Sequence, residues 1–161
     1  MLKTPDTFSF KPSQYDGEGL FVNKAYKKGD FIAYIKGPTH VFRTFTPEIS
    51  ENMLNWIGVS KYTWIDTTKS PFRKINHSCE PNVAQVSKRK VIAIKDIHAG
   101  EEITMDYSLT EAEPDWSIDC KCKSKQCRHK IGPITTIPRK TYRKYKQYIP
   151  KKFQEIYEAS I

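Results

Sequence analysis

The sequence predicts a mainly β domain with helices as accessories, and three observations lead there. Apolar residues come in short runs bounded by Gly, Pro, Asp and Asn turns, which is the spacing of short strands. Helical spacing occurs over 44–58 and again in the last quarter. The 161 residues fit one domain with a real hydrophobic core, and no repeat or low-complexity linker divides them.

The elements follow in order. "YDGEGLFV" (15–22) is a Gly-containing turn that enters a short apolar run. "GDFIAYIKG" (29–37) places five apolar residues between two glycines, a strand bounded by turns. "TFTPEISENMLNWIG" (44–58) reads as a helix, with Thr46 as its cap, Pro47 at the first position, and Ile49, Met53, Trp56 and Ile57 on one face. "YTWID" (62–66) and "KVIAI" (90–94) are strand-like, and "AGEEITMDY" (99–107) turns at Gly100 into another extended segment. Pro138 opens a helix that carries Tyr142, Tyr145 and Ile149 near a common face. Pro150 breaks it, and Phe153, Ile156 and Tyr157 mark a second. Tyrosines at such spacing ordinarily pack rather than react.

Apolar residues make up 38% and aromatic ones 12%, enough for a globular core. No run approaches the roughly 18 apolar residues of a membrane span. The opening "MLKTPDTFSF" lacks the apolar stretch of a secretion signal, so an intracellular, reducing compartment is expected, nuclear or cytoplasmic. The net charge of +9 is uneven: residues 121–161 hold 12 Lys/Arg against 2 Asp/Glu, and the body is near neutral. Such a tail is either a contact for nucleic acid or an acidic partner, or a solvated helix face.

Cys120, Cys122 and Cys127 form a CxCx4C pattern. Thiolates this close can converge on one tetrahedral zinc, which takes four ligands as a structural site. Cys79 is the one cysteine left, so a tetrathiolate site would fasten the C-terminal segment to the stretch around residue 79. Four free thiols are the alternative, and disulfides fit a reducing compartment poorly. Lys121, Lys123, Lys125 and Arg128 would offset the charge of four thiolates around a divalent ion.

Cys79 stands in "NHSCEPN" (76–82), too polar for a core strand and too poor in apolar residues for a helix face. Extended to "INHSCEPN" (75–82), and taken with "GEEITMDY" (100–107), it resembles the two signature motifs of SET-domain protein lysine methyltransferases. "YDGEGLFV" resembles that family's N-terminal GxG segment and "CKCKSKQC" its post-SET zinc motif, all in the family's order over roughly residues 10–130. No cysteine-rich pre-SET module precedes them, so the resemblance implies a minimal unit: SET domain 1–117, post-SET zinc segment 118–132 and basic helical tail 133–161. It also implies small curved β-sheets around a pseudoknot-like site.

The resemblance implies roles residue by residue. Gly17, Glu18 and Gly19, with Arg73, Asn76 and His77, match the segments that bind S-adenosylmethionine. Tyr107 matches the catalytic tyrosine; Tyr34, Met105 and Trp116 stand for the lysine channel, with Tyr62 and Trp64 as further wall candidates. Cys79, Cys120, Cys122 and Cys127 match the zinc ligands. Asp106, next to the tyrosine, fits structural hydrogen bonding better than a general base. The expected function is methyl transfer to a lysine of a protein, such as a histone tail, for which Glu111, Glu113 and Asp115 offer acidic groups near the channel mouth. The competing function is a catalytically silent module that binds basic peptide or nucleic acid. Three departures stand out: a short "DTTKSPFR" (66–73) loop, Lys74 where an aromatic is usual, and Met105 where many members carry Phe or Tyr. With no hydroxyl at 105 to hold a water, multiple methylation is the weak expectation.

Overall fold

A computed structural model describes residues 6–44, 46, 48, 49 and 53–161. Its strands, in chain order, are β1 Phe8–Pro12, β2 Glu18–Val22, β3 Phe31–Tyr34, β4 Thr39–Val41, β5 Trp56–Ser60, β6 Thr63–Asp66, β7 Asn76–His77, β8 Val83–Gln85, β9 Lys90–Ala93, β10 Glu102–Met105, β11 Ile118–Asp119 and β12 Lys130–Ile131. They form small sheets in the orders β1-β2-β10-β7, β3-β9-β8, β4-β6-β5 and β11-β12. Two helices close the chain, α1 Arg139–Tyr145 and α2 Lys151–Glu158, each preceded by a proline at its N-cap. The mainly β expectation and the two C-terminal helices therefore stand.

Pairing within the first sheet decides where the site lies. β10 runs antiparallel to β2 but parallel to β7, with Thr104 opposite Asn76 and Met105 opposite His77. The Ser78 N–H extends this ladder to the Met105 carbonyl at 3.0 Å. The two polar motifs, some 25 residues apart, are thus joined by backbone hydrogen bonds, and the GxG strand lies on the other side of β10.

Below them Leu20, Val22, Ile35, Ile65, Val83, Val91 and Ile103 are fully buried in one core. A second core joins Leu109, Ala112 and Ile134 to Tyr142, Phe153 and Tyr157 of the helices, so the basic tail is docked through its apolar face. Full burial of a side chain such as Phe153 stabilises by about 1.5–3 kcal/mol. Gly58 permits this docking: a Cβ there would lie 1.8 Å from the Thr110 carbonyl oxygen and 3.2 Å from the Phe153 ring.

The helix expected over 44–58 is corrected in its second half. Glu48 and Ile49 are helical, and the Ile49 N–H reaches Thr46 Oγ1 at 3.4 Å; Pro47 lies outside the described residues. Met53–Asn55 is a single 3-10 turn, and Trp56 and Ile57 belong to β5, not to a helix face. Trp56, Ile57 and Gly58 pair antiparallel with Asp66, Ile65 and Trp64. The apolar spacing of this stretch suits a helix only while that partner strand is left out of account.

Candidate active site

Glu102 organises the meeting of the motifs. Its carboxylate accepts from Ser13 Oγ at 2.8 Å and from Asn76 Nδ2 at 2.9 Å. It lies across Gly19, where a Cβ would come within 2.1 Å of Glu102 Oε1. Asn76 Nδ2 also donates to the Asp16 carbonyl at 3.1 Å, just before Gly17, which holds a φ of +49°. Glycine suits both positions, the first for its left-handed backbone and the second for close approach. The role of Glu102 was not visible in the sequence, although the second Glu of "GEE" marks it.

Asp106 opens the turn that presents Tyr107. Its Oδ1 accepts the Ser108 N–H at 3.1 Å, capping the 3-10 turn Tyr107–Thr110. The Tyr107 hydroxyl donates to the Ile75 carbonyl at 2.6 Å. Burial, reinforced by the charges of Asp16 and Glu102, pushes the phenol well above its ordinary range, so it stays neutral. Tyr107 is therefore a neutral hydrogen-bonding group fixed by the Ile75 carbonyl.

Two cavities flank it. One, of about 370 Å³, is lined by Tyr15, Asp16, Asn76, His77, Cys120 and Tyr107. The other, of about 310 Å³, is lined by Trp56, Ile57, Ile75, Met105, Trp116 and again Tyr107, with Asn55, Thr67, Arg73, Thr110, Glu111 and Ser117 among its polar lining. The first is the polar cavity by virtue of Asn76 and His77 and the second the apolar one by virtue of its Trp and Met side chains, although apolar atoms make up most of the surface of both. Tyr107 and Ile118 contribute to both.

Each expected site residue has a definite place. Asn76 and His77 line the polar cavity, and Gly17, Glu18 and Gly19 lie beside it through the Asn76 contacts. Arg73, expected with the cofactor residues, lines the apolar cavity and stacks 5.5 Å from the Phe10 ring. Met105 and Trp116 line that cavity as well. Tyr34 is not brought there: it is 58% exposed on β3 with its ring against Phe31. Tyr62 is exposed, and Trp64 is buried with its indole N–H donating to Glu111 Oε2 at 3.2 Å. Glu111 lines the apolar cavity, and its other oxygen accepts the N–H groups of Ala112 and Glu113. Glu113 is buried and Asp115 exposed, both away from that wall. Trp56, Met53 and Asn55 are cavity residues that carry no motif.

The cysteines converge beside His77. The ligand atoms of His77, Cys79, Cys120 and Cys122 lie within 4.8 Å of one another, and Cys127 packs against the same cluster. The Cys79 and Cys120 sulfurs are 3.7 Å apart. Two thiolates on a tetrahedral zinc stand about 3.8 Å apart when each Zn–S bond is about 2.3 Å, so the spacing suits the ion. Burial raises the Cys79 and Cys120 thiols. Burial acts the same way on Cys122, but the Ser124 hydroxyl and nearby N–H groups outweigh it and bring that thiol down to about 6.

His77 is held neutral, its pKa brought down to about 3 by burial and by the Arg128 charge. Its Nδ1 lies 3.3 Å from the Tyr107 N–H nitrogen, and its Nε2 faces Cys79 Sγ at 3.3 Å. The ligand atoms that converge are thus those of His77, Cys79, Cys120 and Cys122, whereas Cys127, expected as the fourth ligand, packs beside the cluster without joining that set.

Comparison with known proteins agrees with this architecture. The SET domain family model matches residues 17–108. The chain is 33% identical to the "Histone-lysine N-methyltransferase, H3 lysine-4 specific" of Schizosaccharomyces pombe (strain 972 / ATCC 24843), over 74% of this chain and 14% of that protein. It is 32% identical to the "Variant-silencing SET domain-containing protein" of Plasmodium falciparum (isolate 3D7), over 73% of this chain and 5% of that protein. With "Histone-lysine N-methyltransferase 2B" of Homo sapiens the identity is 30%, over 72% and 5%. The chain thus spans a small part of these relatives' length. The motif pairing, the sheet order and the family match together establish that this chain belongs to the SET-domain family.

Proposed function

We propose that the chain is an S-adenosylmethionine-dependent protein-lysine N-methyltransferase. One observation carries this reading: Tyr107 lines both the cavity that holds Asn76 and His77 and the cavity that holds Trp56, Met105 and Trp116. S-adenosylmethionine, which Asn76 and the segment around Gly17 and Gly19 would hold, would supply an electrophilic methyl to a neutral lysine amine by in-line displacement, with S-adenosylhomocysteine as leaving group and the amine proton lost to solvent. Such a reaction asks the protein chiefly for positioning and electrostatics.

The chain's own residues meet that demand. Asn76 and the glycines 17 and 19 shape the polar side, where Glu102 ties the amide of Asn76 in place. On the other side Trp56, Met105 and Trp116 give an apolar wall suited to the methylene stem of a lysine. A lysine amine has an ordinary pKa of about 10.4, and desolvation lowers it toward the neutral, nucleophilic form. Tyr107, fixed by Ile75, orients the reacting groups at the junction. Met105 brings no hydroxyl to the junction, which favours addition of more than one methyl. Cys79, Cys120 and Cys122, with Cys127 packed beside them, would hold one zinc that fastens the segment around Cys120 over the polar cavity.

The relatives named as histone-lysine N-methyltransferases favour a histone tail as the lysine-bearing substrate, and a nuclear place of action. The silent-module alternative would leave Tyr107 without a task at the junction. Incubating the protein with methyl-labelled S-adenosylmethionine and core histones or whole-cell lysate tests the proposal. Label on a protein lysine is expected. No label from either pool, with no cofactor binding by calorimetry, would overturn it.

A further inference from the structure

A buried ion pair behind Tyr107 has no part in either cavity wall. Arg128 Nη2 meets Asp106 Oδ1 at 2.6 Å, with the two side chains 12% and 0% exposed. Arg128 follows Cys127, and its backbone N–H donates to Cys79 Sγ at 3.4 Å. Its Nη2 also reaches Ser108 Oγ at 3.4 Å. Asp106 precedes Tyr107 and caps its turn. One residue thus touches the cysteine cluster through its backbone and both neighbours of Tyr107 through its side chain.

The pair is poorly arranged as a stabilising device. Asp106 Oδ2 and Arg128 Nε and Nη1 are buried and have no hydrogen-bond partner among the described residues. A buried pair with unsatisfied atoms tends to break even or lose against apolar side chains of the same volume, because both ions are stripped of water. Its contribution is geometric. A single guanidinium nitrogen, Nη2, bridges two acceptors, Asp106 and Ser108, with its two N–H directions fixed in the guanidinium plane, unlike those of a freely rotating lysine ammonium.

We propose that Arg128 is a positioning residue that fixes the turn carrying Tyr107 to the cysteine cluster through Asp106. Ordering of the cysteine segment and orientation of the tyrosine are then one event. The kinetic half of this proposal rests on the methyltransferase reading; the structural coupling does not.

Arg128→Met, Asp106→Asn and the double variant in the full chain provide the test. In Arg128→Met, kcat falls by about tenfold to a hundredfold with KM for S-adenosylmethionine little changed, since a small misplacement costs that much. Arg128→Lys, which keeps the charge but not the planar geometry, recovers kcat only in part. The double variant is no worse than the weaker single variant, in kcat and in melting temperature. Wild-type kcat in Arg128→Met, or strictly additive losses, would overturn the proposal. If Arg128→Met fails to fold, Arg128→Lys decides: a fully wild-type kcat there shows that charge alone suffices and ends the positioning role. If the wild-type chain transfers no methyl, the methyltransferase reading fails, and thermal unfolding decides the coupling. Non-additive melting shifts then support it and additive ones overturn it.

Discussion

On one side of Tyr107 the cavity wall is Asp16, Asn76, His77 and Cys120; on the other it is Trp56, Ile57, Met105 and Trp116. The polar wall comes mostly from motif residues whose side chains are already tied down. Asn76 is bound by Glu102 and the Asp16 carbonyl, and His77 by the Tyr107 N–H and Cys79. The apolar wall comes from residues of β5, β10 and the segment before β11; Met105 lies in a motif, while Trp56 and Ile57 lie in none and are brought to it by sheet topology. The difference teaches that one cavity is encoded by residue identity and the other by shape. On the proposed reading, the first kind of cavity would suit a cofactor that never changes, and the second a side chain with a few methylenes and a small head.

The contrast can be broken most severely where the two sides meet. Tyr107→Phe removes the hydroxyl held by Ile75 and is expected to lower kcat by about a hundredfold or more. Cofactor affinity and melting temperature should hardly change, as calorimetry and thermal unfolding would show. Next in size is the cysteine cluster. Cys79→Ser, or extraction of metal with a chelator, should abolish the expected one zinc per chain in elemental analysis. The melting temperature should fall with it, because metal binding free energy is folding free energy. The apolar wall gives a smaller effect. Trp116→Ala should raise KM for a lysine peptide by about tenfold, with kcat within a small factor, because a truncated contact surface is lost equally from ground and transition states. Smallest in rate is Met105→Tyr. It should leave the first methyl transfer nearly unchanged and shift the products, resolved by mass spectrometry, toward fewer methyls.

The same contrast explains what the sequence could and could not show. The strands around 31–34, 63–66, 90–93 and 102–105 were legible because short apolar runs between turn residues have one reading. The two C-terminal helices were legible from their prolines and tyrosine spacing. The nearness of Asn76, His77, Tyr107 and the cysteines was legible because long polar motifs in a fixed order are rare. Trp56 and Ile57 were misplaced on a helix because their true partner, Ile65 and its neighbours on β6, acts through tertiary pairing. β7, two residues long, is held only by its parallel partner β10, and no local propensity announces it. Tyr34 was placed in the channel by resemblance alone, whereas β3 turns it outward beside Phe31. Arg73 shares a segment with Asn76, yet the 3-10 turn Pro71–Lys74 directs it to the apolar side. The tail's positive charge concealed an apolar face that docks on Leu109 and Ala112, and Lys146 and Lys152 are paired with Glu158 and Glu155.

The central claim is a division of labour across Tyr107: cofactor on the polar side, lysine on the apolar side. Calorimetric titration of S-adenosylmethionine into wild type, Asn76→Ala and Trp56→Ala tests it most directly. Loss of the Asn76 hydrogen bonds should weaken binding by about tenfold or more, while Trp56→Ala stays close to wild type. Equal weakening in both variants, or weakening in Trp56→Ala alone, would contradict the division.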